Sequence, residues 1–205
     1  MRYIDLTHTL EPETPVSHND NKIDFKRVKF LDKDYYNDTR IITTMHIGTH
    51  IDAPSHMLES DKYMSDYHIS KFIGDGVLLD FENQKDIVLR DSDKLKIKKD
   101  FIVMIYTNMD KRIGTKEYYY DHPKVSEELC DFLIEKQIKI LALDFYSPDQ
   151  LPLTIHKKLL SNDILIVENL KDVNELKNIG NFKVNLIPIK IKAEGAFIRA
   201  FAEVL

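Results

Sequence analysis

The chain has 205 residues, of which 43% are hydrophobic and 31% are charged. This ordinary globular composition excludes a disordered or fibrous protein and predicts a single domain over residues 1–205. The formal net charge of −5 argues against a dedicated nucleic-acid-binding protein. No apolar run approaches the roughly 20 residues that cross a bilayer, so no membrane partner is expected.

Runs of β-branched and aromatic residues, bounded by turn residues, predict strands along the whole chain. In chain order they are Tyr3–Leu6, Phe25–Phe30, Arg40–Met45, Val77–Phe81, Phe101–Thr107, Ile138–Leu143, Ile164–Val167, Val184–Ile191 and Phe197–Val204. The first half of the chain is therefore mostly strand.

Helical patterns are concentrated in the second half. An apolar stripe at helical spacing from Val125 to Ile134 predicts a helix, and Pro123 and the pair Glu127–Glu128 suit its first turn. A shorter helix is predicted over Leu153–Leu160. Because each helix precedes a predicted strand, the fold class is mixed α/β (α+β) with substantial antiparallel character.

Cys130 is the only cysteine, which excludes an internal disulfide and a cysteine-based metal cage. Near the N-terminus, Asp5 interrupts the hydrophobic run that a secretory signal would need. We therefore expect a reduced, cytoplasmic protein in which histidine and carboxylate side chains hold any metal.

Three of the eight histidines fall within eleven residues, together with an aspartate. These residues are His46, His50, Asp52 and His56. In a strand their even spacing would place them on one face, but a rise of about 3.3 Å per residue would put His46 and Asp52 about 20 Å apart. Zinc bonds to nitrogen and oxygen are only about 2.0–2.2 Å long, so one ion requires the segment to bend.

Gly48 and Pro54 permit such a bend. A helix would also bring His46 and His50 together, but Asp52 would then point elsewhere and Pro54 would break the helix. A strand end that folds into a tight loop is preferred, with His46, His50 and Asp52 as metal ligands. Unrelated surface histidines are the structural alternative.

Two distant residues fit the same site. Glu168 follows the apolar run Ile164–Val167, and a buried carboxylate is costly unless a cation or hydrogen bonds compensate it. His156 lies twelve residues earlier on the predicted short helix. Composition alone favours an exposed helix histidine at this position.

The pattern H-x-G-T-H-x-D-x-P-x-H over residues 46–56 resembles the signature of the cyclase family of metal-dependent hydrolases, which includes bacterial kynurenine formamidases and isatin hydrolases. Other segments are similar to further family motifs: Ile4–Thr7, Asp144–Asp149, Glu168–Leu170 and Glu194–Ala200. The resemblance implies a swivelling β/β/α domain with a mixed, largely antiparallel sheet. It also implies assembly as a homodimer or homotetramer.

The resemblance further implies a site for one or two divalent ions, zinc or manganese. The implied ligands are His46, His50, Asp52, His156 and Glu168. Asp52 would reach both ions, and Glu168 would bridge or contact both. His56 would be the catalytic acid/base rather than a ligand.

These roles fit metal-assisted hydrolysis of an amide, lactam or ester carbonyl of a small molecule. A bound ion lowers the pKa of water from about 15.7 to about 7. A histidine titrates near neutrality and can carry the proton to the leaving group. A lyase, dehydratase or isomerase on the same ligands, or a non-catalytic metal-binding protein, remains open.

The chain departs from the family pattern at expected substrate-binding positions. Ser17 stands where formamidases carry an aromatic residue, and His18 is expected near the pocket mouth. Phe197 replaces a usual proline and is expected to compensate partly for the lost aromatic. His68 and His122 are predicted to be surface residues, and Tyr118–Tyr120 is predicted to be a packed or interface patch.

Overall fold

The computed structural model describes residues 1–17 and 22–204. Its strands are β1 (Arg2–Asp5), β2 (Asp24–Lys29), β3 (Asp38–Ile42), β4 (His50–Asp52), β5 (Ile73–Asp80), β6 (Asp86–Ile87), β7 (Ile102–Tyr106), β8 (Lys124–Val125), β9 (Ile140–Leu143), β10 (Leu165–Glu168), β11 (Phe182–Pro188) and β12 (Gly195–Val204). Its α-helices are α1 (Leu31–Asp34), α2 (Asp91–Lys94), α3 (Lys116–Tyr120), α4 (Glu127–Glu135) and α5 (Thr154–Ser161).

Eight strands form one mixed sheet in the order β1-β12-β11-β5-β7-β9-β10-β4. Strands β5, β7, β9 and β10 run parallel, whereas β1, β4, β11 and β12 join through antiparallel pairs. Strand β4 also pairs with β12, which closes the sheet into a barrel-like arrangement. The predicted mixed α/β fold is confirmed. Strands β2 and β3 form a separate two-stranded sheet.

The parallel strands β7, β9 and β10 are buried on both faces, as their near-continuous apolar sequences indicate. Alternate residues of β7 show this arrangement. Ile102 and Met104 pack with residues of β11 and β12, whereas Val103 and Ile105 face the cluster that includes residues of α4 and α5. The carboxyl end of β10 is thereby held in a fixed position beside β4.

The observed strands overlap every predicted strand, and β4, β6 and β8 were not predicted as strands. Helix α5 agrees with the prediction, but the start predicted for α4 is wrong. Val125 pairs with Ile87 in a short parallel ladder, and Ser126 caps the helix by accepting a hydrogen bond from the Leu129 amide at 3.2 Å. Pro123 therefore lies before the helix rather than in its first turn.

Within residues 1–17 and 22–204, no helix has both the length and the apolar character that a membrane crossing requires.

Candidate metal centre and catalytic cleft

Strand pairing brings distant acidic and imidazole side chains to one face of the barrel-like sheet. Strand β4 lies between β10 and β12, with His50 opposite Glu168 and Asp52 opposite Gly195. Directly opposed residues of antiparallel strands share a face. His50, Asp52 and Glu168 therefore meet in space although the last is far away in sequence.

The loop before β4 returns His46 to the same point, which confirms the predicted bend. Gly48 adopts a φ of +63°, a left-handed conformation that favours glycine. The Nδ1 atom of His50 donates to the Gly48 carbonyl at 2.9 Å. The Nδ1 atom of His46 donates to Asp52 Oδ1 at 2.8 Å, so Asp52 orients the first histidine of the motif.

Gly195 provides the space that the His46 ring occupies. A Cβ atom at this position would lie 2.8 Å from His46 Cε1 and 3.1 Å from the Ile51 carbonyl oxygen. No larger residue fits without moving the imidazole. The glycine in the C-terminal motif is therefore explained by a contact with the histidine motif.

Helix α5 supplies His156 from the other side. Its Nε2 atom lies 3.1 Å from Glu168 Oε1, and its Nδ1 atom lies 2.5 Å from Asp149 Oδ1. Only 3% of His156 is exposed, so the exposed helix histidine that composition favours is wrong. Asp149 also accepts a hydrogen bond from the Ile155 amide at 2.6 Å, which ties the carboxylate to the start of the helix.

Two sets of possible ligand atoms share Asp52. One set belongs to His46, His50 and Asp52, and the other belongs to Asp52, His156 and Glu168. Within each set, one ligand atom per residue lies within 4.8 Å of the others. The five side chains that the sequence analysis singled out as ligands are thus brought together around one carboxylate.

The cluster is electrostatically suited to a cation. Burial would lower the pKa of His50, but Glu168 and Asp52 raise it to about 9. Burial likewise opposes protonation of His156, but Asp149 and Glu168 raise its pKa to about 10. The two carboxylates thus attract positive charge into a buried site, and a divalent cation can supply that charge.

The acidity of the carboxylates agrees with this conclusion. Burial would raise the pKa of Asp52, but the hydrogen bond from His46 and the charge of His50 hold it well below its usual range. Burial would also raise the pKa of Glu168, but His156 and His50 lower it below its usual value. The Nε2 atom of His50 makes no hydrogen bond within the described chain, although it lies 3.4 Å from Glu168 Oε2. An imidazole nitrogen and two carboxylates of this kind fit a divalent metal ion.

His56 lies beside the cluster at the end of a short 3-10 turn, Pro54–His56. Its ring stacks on His46 with centroids 3.9 Å apart, and it is 6.4 Å from the His156 ring. Burial lowers the pKa of His56, so the imidazole is neutral at pH 7. A neutral imidazole next to the donor cluster can accept a proton.

A cleft of about 830 Å³ opens onto the donor cluster. Its lining includes His46, His50, His56, His156 and Glu168, together with apolar and aromatic residues. Such a volume is typical of a small-molecule site. The structure therefore joins the candidate metal centre, the candidate proton carrier and a substrate-sized space.

The expected substrate-binding residues occupy different places. Ser17 lines the cleft, and His18 lies outside the described residues. Phe197 pairs with His50 in the β4–β12 ladder and is not among the cleft-lining residues of the described chain.

The aromatic surface of the cleft instead includes Tyr119, Tyr120 and Tyr146. Tyr118 is fully buried, so only part of the predicted tyrosine patch is packed in the core. His122 is 4% exposed and lines the same cleft, so its prediction as a surface residue is wrong because Phe145 and Tyr146 cover its ring.

Sequence reasoning also missed a supporting network behind the cluster. Asn169 donates from Nδ2 to the Gly48 carbonyl at 3.0 Å and accepts from the Tyr118 hydroxyl at 2.5 Å. It therefore fixes the carbonyl that orients His50. Its position directly after Glu168 was the only signal in the sequence.

Solved structures with the same fold include isatin hydrolases. Isatin hydrolase A from Labrenzia aggregata, bound to benzyl benzoate, matches with a TM-score of 0.87 and 24% identity, covering 99% of this chain and 93% of that chain. A protein described as a predicted metal-dependent hydrolase, from Bacillus stearothermophilus, matches with a TM-score of 0.79 and 24% identity, covering 98% of this chain and 97% of that chain. These likenesses establish the fold.

The chain is also similar in sequence to curated enzymes, and a family model matches most of it. The kynurenine formamidase of Bacillus thuringiensis strain Al Hakam is 26% identical over 165 residues, which cover 78% of this chain and 77% of the relative. The kynurenine formamidase of Bacillus anthracis matches to the same extent. The Cyclase family model matches residues 4–150. The chain belongs to the cyclase family of metal-dependent hydrolases.

Proposed function

We propose that this chain hydrolyses an amide, lactam or ester carbonyl of a small molecule with one or two zinc or manganese ions. The proposed ligands are His46, His50, Asp52, His156 and Glu168. The observation that carries the proposal is the convergence of both donor sets on buried Asp52, while the other four proposed ligands line the cleft. The names of the sequence relatives make N-formyl amides the first substrates to test.

The hydrogen bonds of the site direct each imidazole toward the proposed ions. The Gly48 carbonyl accepts the Nδ1 proton of His50, which leaves the Nε2 lone pair facing the two carboxylates. Asp149 holds Nδ1 of His156 in the same way and turns Nε2 toward Glu168. Such partners fix the tautomer and orientation of metal-binding histidines.

When bound, a divalent cation lowers the pKa of water from about 15.7 to about 7 and polarises the carbonyl that is attacked. His56 takes the proton of the attacking water and returns it to the leaving nitrogen or oxygen. Its neutral state at pH 7 suits the first of these transfers. The stacking contact with His46 holds the His56 ring beside the donor cluster during both proton transfers.

The exposed apolar side chains of strands β2 and β3 and of the segment that joins them, which contains α1, support the expected homodimer or homotetramer. Leu31, Tyr35 and Ile42 are 63%, 92% and 54% exposed. Exposed apolar surface of this kind is typical of an association site. Light scattering after size exclusion tests the assembly, and a monomer at working concentration would contradict it.

The function is tested by measuring turnover of formamides, lactams and lactones in ¹⁸O-labelled water with protein loaded with zinc or manganese. We expect one ¹⁸O atom in the new carboxylate, because hydrolysis takes its oxygen from solvent. A product without the label would indicate a lyase or isomerase. No turnover across the panel would indicate a binding protein.

The role of His56 is tested by His56→Ala, with the exposed His68→Ala as the matched control. We expect His56→Ala to keep its metal and to lose about 10²–10⁴-fold in kcat, the usual contribution of a positioned acid/base. His68→Ala should retain wild-type turnover. If His56→Ala keeps both metal and full activity, another group carries the proton.

A further inference from the structure

His122 is a buried imidazole in the cleft wall to which the proposed mechanism gives no role. It lies between α3 and β8 and is 4% exposed. Its ring stacks against Phe145 with centroids 6.4 Å apart and meets Tyr146 edge-on at 5.9 Å. These contacts hold the imidazole plane in one orientation.

The hydrogen bond of His122 fixes its tautomer. Nδ1 lies 2.9 Å from the Pro123 carbonyl oxygen, which can only accept, so Nδ1 carries the proton. Nε2 has no hydrogen-bond partner among the described residues and is not one of their fully buried, unpartnered atoms, so it is open to the cleft that His122 lines. A neutral imidazole in this state presents a bare lone pair at Nε2, which is an acceptor and not a donor.

His122 also lies close to the candidate metal centre. It lines the same cleft as His56, His156 and Glu168. Burial lowers its pKa, and the charges of Glu168 and Asp149 oppose that effect. The imidazole is therefore neutral near pH 7 and close enough to both carboxylates to sense their charge.

We propose that His122 Nε2 accepts a hydrogen bond from the substrate and selects carbonyl compounds that carry an N–H donor, such as primary and secondary amides. The inference rests on the proposed hydrolase function. Esters, lactones and N-alkylated amides offer no such donor, so on binding they displace water from Nε2 without replacing its hydrogen bond, which costs binding. His122 is thus a specificity-determining residue of the cleft.

The test compares formanilide with N-methylformanilide, which differ by the N–H, on wild type, His122→Phe and His122→Gln. The phenyl ring keeps the stack on Phe145, and the glutamine offers an acceptor oxygen. We expect His122→Phe to lower kcat/KM for formanilide about tenfold and to change it less than twofold for N-methylformanilide. His122→Gln should recover part of the loss. An equal loss on both amides, or none on either, would overturn the proposal.

A second measurement follows wild type itself and does not depend on turnover. The ¹⁵N signal of His122 Nε2, assigned by its absence from the His122→Phe spectrum, is followed in metal-free wild type. Formanilide should move this signal and N-methylformanilide should not. No response to formanilide at any soluble concentration would overturn the proposal. Wild type that binds formanilide through His122 but hydrolyses neither amide would instead contradict the proposed function.

Discussion

Replacing Gly195 by alanine should damage the metal centre through a single methyl group. The new Cβ would lie 2.8 Å from His46 Cε1 and 3.2 Å from His46 Nε2, well inside the 3.4–4 Å of ordinary contact. It would also lie 3.1 Å from the Ile51 carbonyl oxygen, which the β4–β12 pairing holds in place. Since the backbone is fixed, the imidazole must move away from its hydrogen bond with Asp52.

Overpacking of this kind costs about 1–3 kcal/mol of unfolding free energy. Gly180→Ala is the matched control, because its Cβ would meet nothing within 4 Å. Urea unfolding should show Gly195→Ala less stable than Gly180→Ala by that amount. Zinc titration should show at least a tenfold loss of zinc affinity in Gly195→Ala and no loss in Gly180→Ala. Equal stability and equal zinc affinity of the two variants would refute the packing argument.

Two further predictions concern stability. Tyr118→Phe should lower the unfolding free energy by about 1–3 kcal/mol, because it leaves buried Asn169 Oδ1 without its donor. Tyr120→Phe, at a 54% exposed position, should stay within about 0.5 kcal/mol, and equal values for both would contradict this reason. Burial lowers the pKa of His122 in the folded chain below its usual 6.5, so below that pH the unfolded chain binds the proton more readily. The unfolding free energy of wild type is therefore fully retained above pH 6.5 and falls as the pH falls. Between pH 7 and 5, metal-free His122→Phe should therefore lose less unfolding free energy than metal-free wild type. The difference is at most about 1.4 kcal/mol per pH unit. Parallel pH profiles of the two proteins in urea unfolding would contradict this role of His122.

The local part of the site could be predicted from sequence because its constraints are local. His46, His50 and Asp52 lie in one short segment, and an ion that binds all three requires the bend that Gly48 provides. The buried strands were equally accessible, because parallel strands covered on both faces have continuous apolar sequences. Neither inference needed the closed sheet.

The remaining parts depend on contacts between distant segments. Strand β4 has only three residues, two of them polar, and is a strand because β10 and β12 flank it. The bond between Tyr118 and Asn169 spans 51 residues, and no local pattern indicates it. His122 sits in a polar stretch that is typical of a surface turn, and it is buried because Phe145 lies against it.

The most direct test of the account is the metal content of protein reconstituted with zinc or manganese and then freed of unbound ions. We expect one or two equivalents per chain in wild type and in His68→Ala, and a loss of at least one equivalent in His50→Ala. Removing His50 takes away the imidazole that faces Asp52 and Glu168. Unchanged metal stoichiometry in His50→Ala, or no bound metal in wild type, would contradict a metal centre built around Asp52.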